Sequence, residues 1–302
     1  MNDMKHFRLT SLGWMIALLA LLGTSELSAK KVSEVVILHT NDTHSAIMPL
    51  SPLLQNRQLS NRGGFLRRIA MIEEERAKVP SLLLFDSGDF SQGSAYYTYF
   101  KGEVEVKLMN RMGYDAVTLG NHEFDYGLDN LARLVRMAEF PVVCSNYDFT
   151  NTPLHGLVKR YVVLKRNGRR IGVFGLSPKP EGLIQQSNYA GMTFLDPIAT
   201  AKEMIPLLRE KERCDLVICL SHLGWNLERE IDDNLLISST SGIDLLLGGH
   251  THTYMEELEW VNDASSRRVA VDQNGKSGIY VGRIVLKPIK LSLHERKMAG
   301  KL

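Results

Sequence analysis

Five short apolar runs constrain this chain more than any other feature: Val35 to Leu38, Leu82 to Phe85, Ala116 to Leu119, Leu216 to Leu220 and Ile243 to Leu247. None alternates with polar residues, so both faces of each must be covered, which is how buried strands of parallel sheets read. Helical patterns lie between them. Phe65, Ile69 and Ile72 share a stripe with the charges of Glu73 to Arg76 outward, and Ala201, Met204, Leu207 and Leu208 make another before Cys214. Strand and helix in alternation predict an α/β sandwich. Two segments break the rhythm. Tyr161 to Leu164 and Ile171 to Leu176 flank Asn167-Gly168, whose tolerance of positive φ predicts a hairpin turn; Arg268 to Asp272 and Ile279 to Leu286 are expected to form a second antiparallel pair. No repeat, low-complexity tract or linker interrupts residues 31–287, which predicts one domain, and Lys287 to Leu302 reads as a charged tail or the stub of a helix.

Composition narrows the function classes. The 302 residues carry 36 Lys plus Arg against 34 Asp plus Glu, with no basic stripe, which excludes a phosphate-backbone footprint and argues against nucleic-acid binding. Three cysteines, Cys144, Cys214 and Cys219, cannot make a disulfide framework and read as small buried hydrophobes. At the N-terminus, Lys5 and Arg8 precede the apolar run Leu12 to Leu22, and small residues follow it, the three-part pattern of a secretory signal over residues 1–29. A membrane anchor is disfavoured because that run has 11 residues and a spanning helix needs roughly 20. The mature protein is therefore expected to be secreted or periplasmic, without a membrane span.

Potential ligands follow every buried run. They are Asp42-Thr43-His44, then Gly88-Asp89 with Gln92, then Gly120-Asn121-His122-Glu123, then Ser221-His222, and finally Gly249-His250-Thr251-His252. Active sites of α/β sheets gather at the carboxyl ends of strands, so these side chains are expected to meet in one crevice. Residues i and i+2 of an extended end point to one side, so Asp42 with His44, and His250 with His252, can each approach a shared centre. Any one of these motifs is a common strand-end turn; five of the nine histidines placed behind four of the five buried runs are not. Carboxylate, amide and imidazole without ligating cysteine suit Mn, Fe or Zn rather than Ca or a structural Cys-rich Zn site. His39, inside the first strand, reads as a core histidine or one behind the ligands. Tyr96, Tyr97, Tyr99 and Phe100 read as core and helix-packing residues.

The ordered set Asp-x-His, Gly-Asp, Gly-Asn-His-Glu, His, Gly-His-x-His resembles the binuclear, calcineurin-like metallophosphoesterases. The strings Ile37 to His44 (ILHTNDTH), Gly120 to Asp125 (GNHEFD) and Gly248 to His252 (GGHTH), with Gln273 to Tyr280 (QNGKSGIY), look like the secreted 5′-nucleotidase and UDP-sugar hydrolase branch. The resemblance implies a four-layer α-β-β-α sandwich of mixed sheets and two divalent ions. One ion would be held by Asp42, His44 and His252, the other by Asn121, His222 and His250, with Asp89 bridging. It also implies that His122 and Asp125 are the catalytic dyad, the carboxylate orienting the ring and favouring its cationic form. Members of that branch usually continue into a further domain that stacks the base. The resemblance therefore implies either a simpler phosphoester substrate or a separate C-terminal nucleotidase domain protein as partner, with residues 288–302 as its linker stub. Alternatives are a cyclic-nucleotide phosphodiesterase, a nucleotide-sugar pyrophosphatase, or a catalytically silent metal-binding subunit of a two-chain complex; a dyad that ligates no metal argues against the last.

Overall fold

The computed structural model describes residues 34–287 and the backbone of Leu291–Met298. The segment read as an export signal lies outside the described residues. Along the first half run β1 (Val35–Thr40), α1 (Phe65–Lys78), β2 (Leu83–Asp86), α2 (Ala95–Phe100), α3 (Glu103–Met112), β3 (Ala116–Thr118), a 3-10 turn (His122–Phe124), α4 (Gly127–Met137), β4 (Val142–Val143) and β5 (Tyr147–Asp148). The second half adds β6 (Tyr161–Arg166), β7 (Arg169–Leu176), β8 (Thr193–Phe194), α5 (Pro197–Pro206), β9 (Leu216–Ser221), α6 (Asp233–Ser238) and β10 (Leu245–Leu247). It ends with β11 (Glu259–Asn262), β12 (Arg268–Asp272), β13 (Tyr280–Leu286) and β14 (Leu291–Met298).

Two six-stranded mixed sheets result, ordered β14-β13-β1-β2-β3-β4 and β11-β12-β10-β9-β7-β6. Within them β1, β2, β3 and β4 are parallel, as are β7, β9, β10 and β12, while the remaining pairings are antiparallel. The lack of alternation in the five runs now has its cause. Val35 and Ile37 on one face of β1 join Leu83, Phe85, Ile218, Leu220, Leu245 and Leu247 in a core between the sheets. Val36 and Leu38, on the other face, pack with Phe65, Ile72, Met109 and Leu131 of α1, α3 and α4. Across the molecule Phe174, Cys219 and Leu246 pack on Ala201, Met204, Leu236 and Ile237 of α5 and α6. These are the four layers α-β-β-α. Ile37 is 0% exposed, so Ile37→Ala would forfeit about 2–5 kcal/mol in the middle core.

Local chemistry fixes the ends. Asp196 caps α5 by accepting from Ala199 N at 2.7 Å, with Pro197 in the first turn where its missing N–H costs nothing. Asn167 and Gly168, at φ 51° and 79°, make the expected β6–β7 hairpin. The second expected hairpin is wrong: β12 pairs with β10 and β11, whereas β13 pairs with β1 and β14 in the other sheet. Gln273 and Asn274 carry the chain across. Both are buried, and their amides bond Gly249 O and the β1 loop, which a tight turn would not allow. The tail is corrected as well, because the backbone of Leu291–Met298 forms an edge strand on β13. The alternation Leu291-Ser292-Leu293-His294 is the strand signal there. Among the described residues no helix is long and apolar enough to cross a membrane.

Candidate metal centre

The ligand-bearing loops leave the carboxyl ends of strands in both sheets. Asp42 and His44 follow β1, Asp89 follows β2 and Asn121 lies just beyond β3, whereas His222 follows β9 and His250 and His252 follow β10. The crevice therefore straddles the line where the two sheets meet. Three groups of side chains converge there: Asp42, His44 and His252; Asp89, His222 and His250; and His44, Asp89 and His122, the chosen atoms of each group lying within 4.8 Å of one another. The first two are the sets expected from sequence, less Asn121.

The route to convergence differs from the expected one. Asp42, His44, Asp89, His250 and His252 have φ values of 47°, 41°, 54°, 74° and 54°, so these ends are left-handed turns rather than extended strands. Such backbone is unfavourable for a residue with a Cβ, and its clustering here marks a functional site. One consequence is that His250 joins Asp89 and His222, while His252 joins Asp42 and His44. The glycines permit close approach. A Cβ on Gly120 would lie 2.2 Å from Asp89 Oδ1 and 2.7 Å from His222 Nε2, which leaves no room for a side chain.

Buried Asn121 Oδ1 and His222 Nε2 make no hydrogen bond, nor does His44 Nδ1, whose ring faces Asp42 and His252 through Nε2 instead. His44 Nε2 and His252 Nε2 stand 2.8 Å apart, and His222 Nε2 is 3.0 Å from Asp89 Oδ2 but out of hydrogen-bonding alignment. His222 Nδ1 lies 2.6 Å from Ser87 O, and that bond to a carbonyl fixes the tautomer that leaves Nε2 free to ligate. Orphaned imidazole and amide atoms beside two buried carboxylates fit divalent cations of the borderline class.

Electrostatics point the same way. Burial lowers His44 and His250 to about 4, so both are neutral with lone pairs to donate near neutral pH. Burial pushes the Asp42 carboxyl up to about 8, against the attraction of His222. His222 itself resists burial and rises to about 10, because Asp89 and Asp42 face it; Asp89, despite burial, is held well below the usual carboxylate range by His222. Without cations, the His222 imidazolium balances the Asp89 carboxylate near neutral pH, while Asp42 keeps its proton. Divalent ions would take over that balance and keep both carboxylates ionised.

Beside the centre, His122 Nδ1 is 3.1 Å from Asp125 Oδ2, and His122 N donates to Asp89 Oδ1 at 2.9 Å. The hydrogen bond to Asp125 raises the His122 pKa, outweighing partial burial. The His122 ring meets that of His44 edge-on at 5.5 Å between centroids.

His39 is not in the ligand groups; it is buried with Nε2 2.7 Å from Asp272 Oδ2. The three cysteines are free and buried, as read from sequence. Of the four aromatics near Gln92 only Tyr97 is buried; Tyr96, Tyr99 and Phe100 are exposed at 39%, 80% and 51%, because α2 has a single inward face. One contributor had been given no role. Buried Glu123 accepts N–H bonds from Asp89 at 3.0 Å, Ser91 at 3.1 Å and Gly120 at 2.7 Å, so it shapes the two loops that deliver Asp89 and Asn121. Its position directly after His122 was the signal.

The chain belongs to the calcineurin-like phosphoesterases, whose family model matches residues 35–254. These are hydrolases of phosphoric esters that use two divalent metals. The trifunctional nucleotide phosphoesterase protein YfkN of Bacillus subtilis is 31% identical over 83% of this chain and 18% of its own length. The protein named probable 5′-nucleotidase of Treponema pallidum is 33% identical over 78% of this chain and 39% of its own. Among solved structures, a 5′-nucleotidase precursor from Thermus thermophilus superposes with a TM-score of 0.76 at 27% identity, covering 88% of this chain and 54% of that one. The chain thus spans about two fifths or less of the two relatives by sequence.

Proposed function

We propose that this chain is an exported phosphomonoesterase of the 5′-nucleotidase kind, acting on nucleotides or similar small phosphoesters. One observation carries the reading: Asp89 belongs to the group with His222 and His250 and also to the group with His44 and His122, so a single carboxylate links two clusters of ligands and the dyad. Asp42, His44 and His252 would hold one ion; Asn121, His222 and His250 the other; Asp89 would serve both. Bound there, two divalent ions polarise phosphoryl oxygens and acidify water, giving a nucleophile near neutral pH.

The protein's own groups supply the rest. With Nδ1 engaged by Asp125, His122 presents Nε2–H to the oxygen of the departing alkoxide. Asp125 orients that ring and stabilises its cation, so the proton is in place before the bond to phosphorus breaks. Glu123 and Gly120 keep the Asp89 and Asn121 loops close enough for both clusters to act on one phosphoryl group. The names of the relatives support nucleotides as the substrate class.

A substrate panel tests the reading. Purified protein loaded with Mn or Zn should release phosphate from nucleoside monophosphates faster than it opens cyclic nucleotides or splits nucleotide sugars. Preference for either of the latter would replace the monoesterase assignment with phosphodiesterase or pyrophosphatase, and inactivity on all three with loaded metals would favour the silent subunit.

A further inference from the structure

The metal groups draw on both sheets, so their spacing depends on how the sheets are held at this end. Apolar packing between sheets is non-directional and leaves such an alignment loosely specified. A buried polar chain supplies direction. His39 stands on the same face of β1 as Val35 and Ile37, pointing into the space between the sheets, and its Nε2 lies 2.7 Å from Oδ2 of Asp272, the last residue of β12 in the opposite sheet. Both side chains are 0% exposed. The ring lies against Gly282 of β13, where a Cβ would come within 2.2 Å of Nε2.

From this pair a line of contacts leads to a ligand. Asn274, two residues beyond Asp272, donates through Nδ2 to His39 O at 3.2 Å and lies 3.0 Å from His39 Nε2. Asn274 N donates to Asn41 Oδ1 at 2.8 Å. Asn41 Nδ2 then donates to Gly275 O at 2.9 Å and to Asp42 Oδ2 at 2.6 Å. The Asn41 amide is thus bonded at both ends, facing the crossover loop on one side and the carboxylate on the other. Asn41 and Asn274 are each 2% exposed, so water cannot substitute for these bonds. On the far side of the same carboxylate, Asp42 Oδ1 faces His252 Nε2 at 3.5 Å and His44 Nε2 at 3.8 Å.

We infer that His39, Asp272, Asn274 and Asn41 form a cross-sheet clamp that positions Asp42 for the ion it would share with His44 and His252. Asn41 is the positioning residue next to the ligand, and the His39–Asp272 pair anchors it to the opposite sheet. The inference rests on the metal-centre reading. It adds that the clamp acts mainly on one half of the centre: His250 reaches it only through the bond from its backbone N to Asp42 Oδ2 at 3.0 Å, while His222 and Asp89 have contacts of their own, among them Ser87 O on His222 and Glu123 on the Asp89 loop.

The test uses the full chain, stripped of metal and titrated with Mn²⁺ or Zn²⁺ by calorimetry, with metal content measured after dialysis and melting followed in chelator. Asn41→Ala is expected to weaken one of two ions by about 10–100-fold, the usual effect of losing a partner behind a ligand, and the other, linked to Asp42 only through His250 N, by much less. His39→Gln, which keeps a hydrogen-bonding group toward Asp272, should lose less than His39→Phe. At saturating metal kcat should largely return in Asn41→Ala. Should His39→Phe fail to fold, Asn41→Ala and His39→Gln still decide. Unchanged affinity for both ions, or equal weakening of both together with a lower melting point in chelator, would show a general packing role and overturn the inference. Asp42→Asn separates the two levels. If it loses an ion and Asn41→Ala does not, the clamp fails and the metal centre stands; if wild type binds no ions, both fall.

Discussion

Replacing His122 by Ala isolates the proposed proton-transfer step, because the side chain is the acid of the proposed dyad and its removal leaves the seven expected ligands in place. A general acid contributes typically 10²–10⁴-fold, which at 1.36 kcal/mol per decade is about 2.7–5.4 kcal/mol of transition-state stabilisation. The geometry sets which proton is at stake: Nδ1 is committed to Asp125 at 3.1 Å, so Nε2 is the donor. The full loss is expected on AMP, whose alkoxide leaving group needs a proton, and a much smaller loss on p-nitrophenyl phosphate, whose phenolate does not. Steady-state kinetics on both substrates, with metal content confirmed at two ions per chain, measure the difference. Equal losses on the two would refute proton donation and leave phosphate binding or charge stabilisation as the role of His122. Asp125→Asn extends the logic to pH. The Asp125 hydrogen bond raises the His122 pKa, so the protonated ring persists to higher pH in the wild type and is lost as pH climbs through that raised value. In Asp125→Asn the basic limb of kcat/KM should move to lower pH. Cations in the adjoining centre lower His122 in both proteins, so the sign of the difference survives their presence; a limb that stays put or moves up would contradict the dyad.

Asp89→Asn should cost both ions, since one carboxylate is shared by the two clusters, and retention of two tightly bound ions on metal analysis would sink the ligand assignment. Gly120→Ala would put a Cβ 2.2 Å from Asp89 Oδ1, and since a displacement of about 1 Å at a catalytic site can cost 10²-fold, kcat/KM should fall by about that factor; a near-wild-type rate would mean that the loop yields freely. Burial pushes the Cys144 thiol up to about 11, so native protein near neutral pH should not be alkylated there, and labelling detected by peptide mass would show that the segment opens.

What was legible in the sequence was whatever a periodicity or a motif states locally. Apolar runs such as Val35 to Leu38 marked strands covered on both sides, because a residue buried on either face of a sheet leaves the same signature. Asn167-Gly168 marked a hairpin because few residue pairs accept two positive φ values. The pairing of β12 and β13 was not legible, because Arg268 to Asp272 and Ile279 to Leu286 look like neighbours until Gln273 and Asn274 are seen bonded to loops from two sheets. Nor was the left-handed backbone at Asp42, His44, Asp89, His250 and His252: no glycine stands at those positions to announce it, and the conformation is imposed by tertiary contacts such as Glu123 on the Asp89 amide.

The same distinction explains the form of the centre. The ligands of each strand end could be read one loop at a time, but the centre is a property of two sheets packed face to face. β1, β2 and β3 supply four of the seven expected ligands, and β9 and β10 the other three. No single loop can close it, so its assembly requires the whole sandwich to be folded. The orphaned Asn121 Oδ1 and His222 Nε2 follow β3 and β9, one from each sheet. Each leaves a buried polar group unsatisfied, at a cost of about 1–3 kcal/mol, so the metal-free sandwich carries a penalty that cations bound across the sheet junction would remove. Ions that bind the folded state and not the unfolded chain stabilise it by mass action. The melting temperature should therefore rise with free Mn²⁺ or Zn²⁺ in the wild type and rise far less in Asp89→Asn, whose centre lacks the shared carboxylate. A melting temperature indifferent to metal in both proteins would mean that the orphaned atoms are satisfied in some other way and that the crevice is not a metal centre.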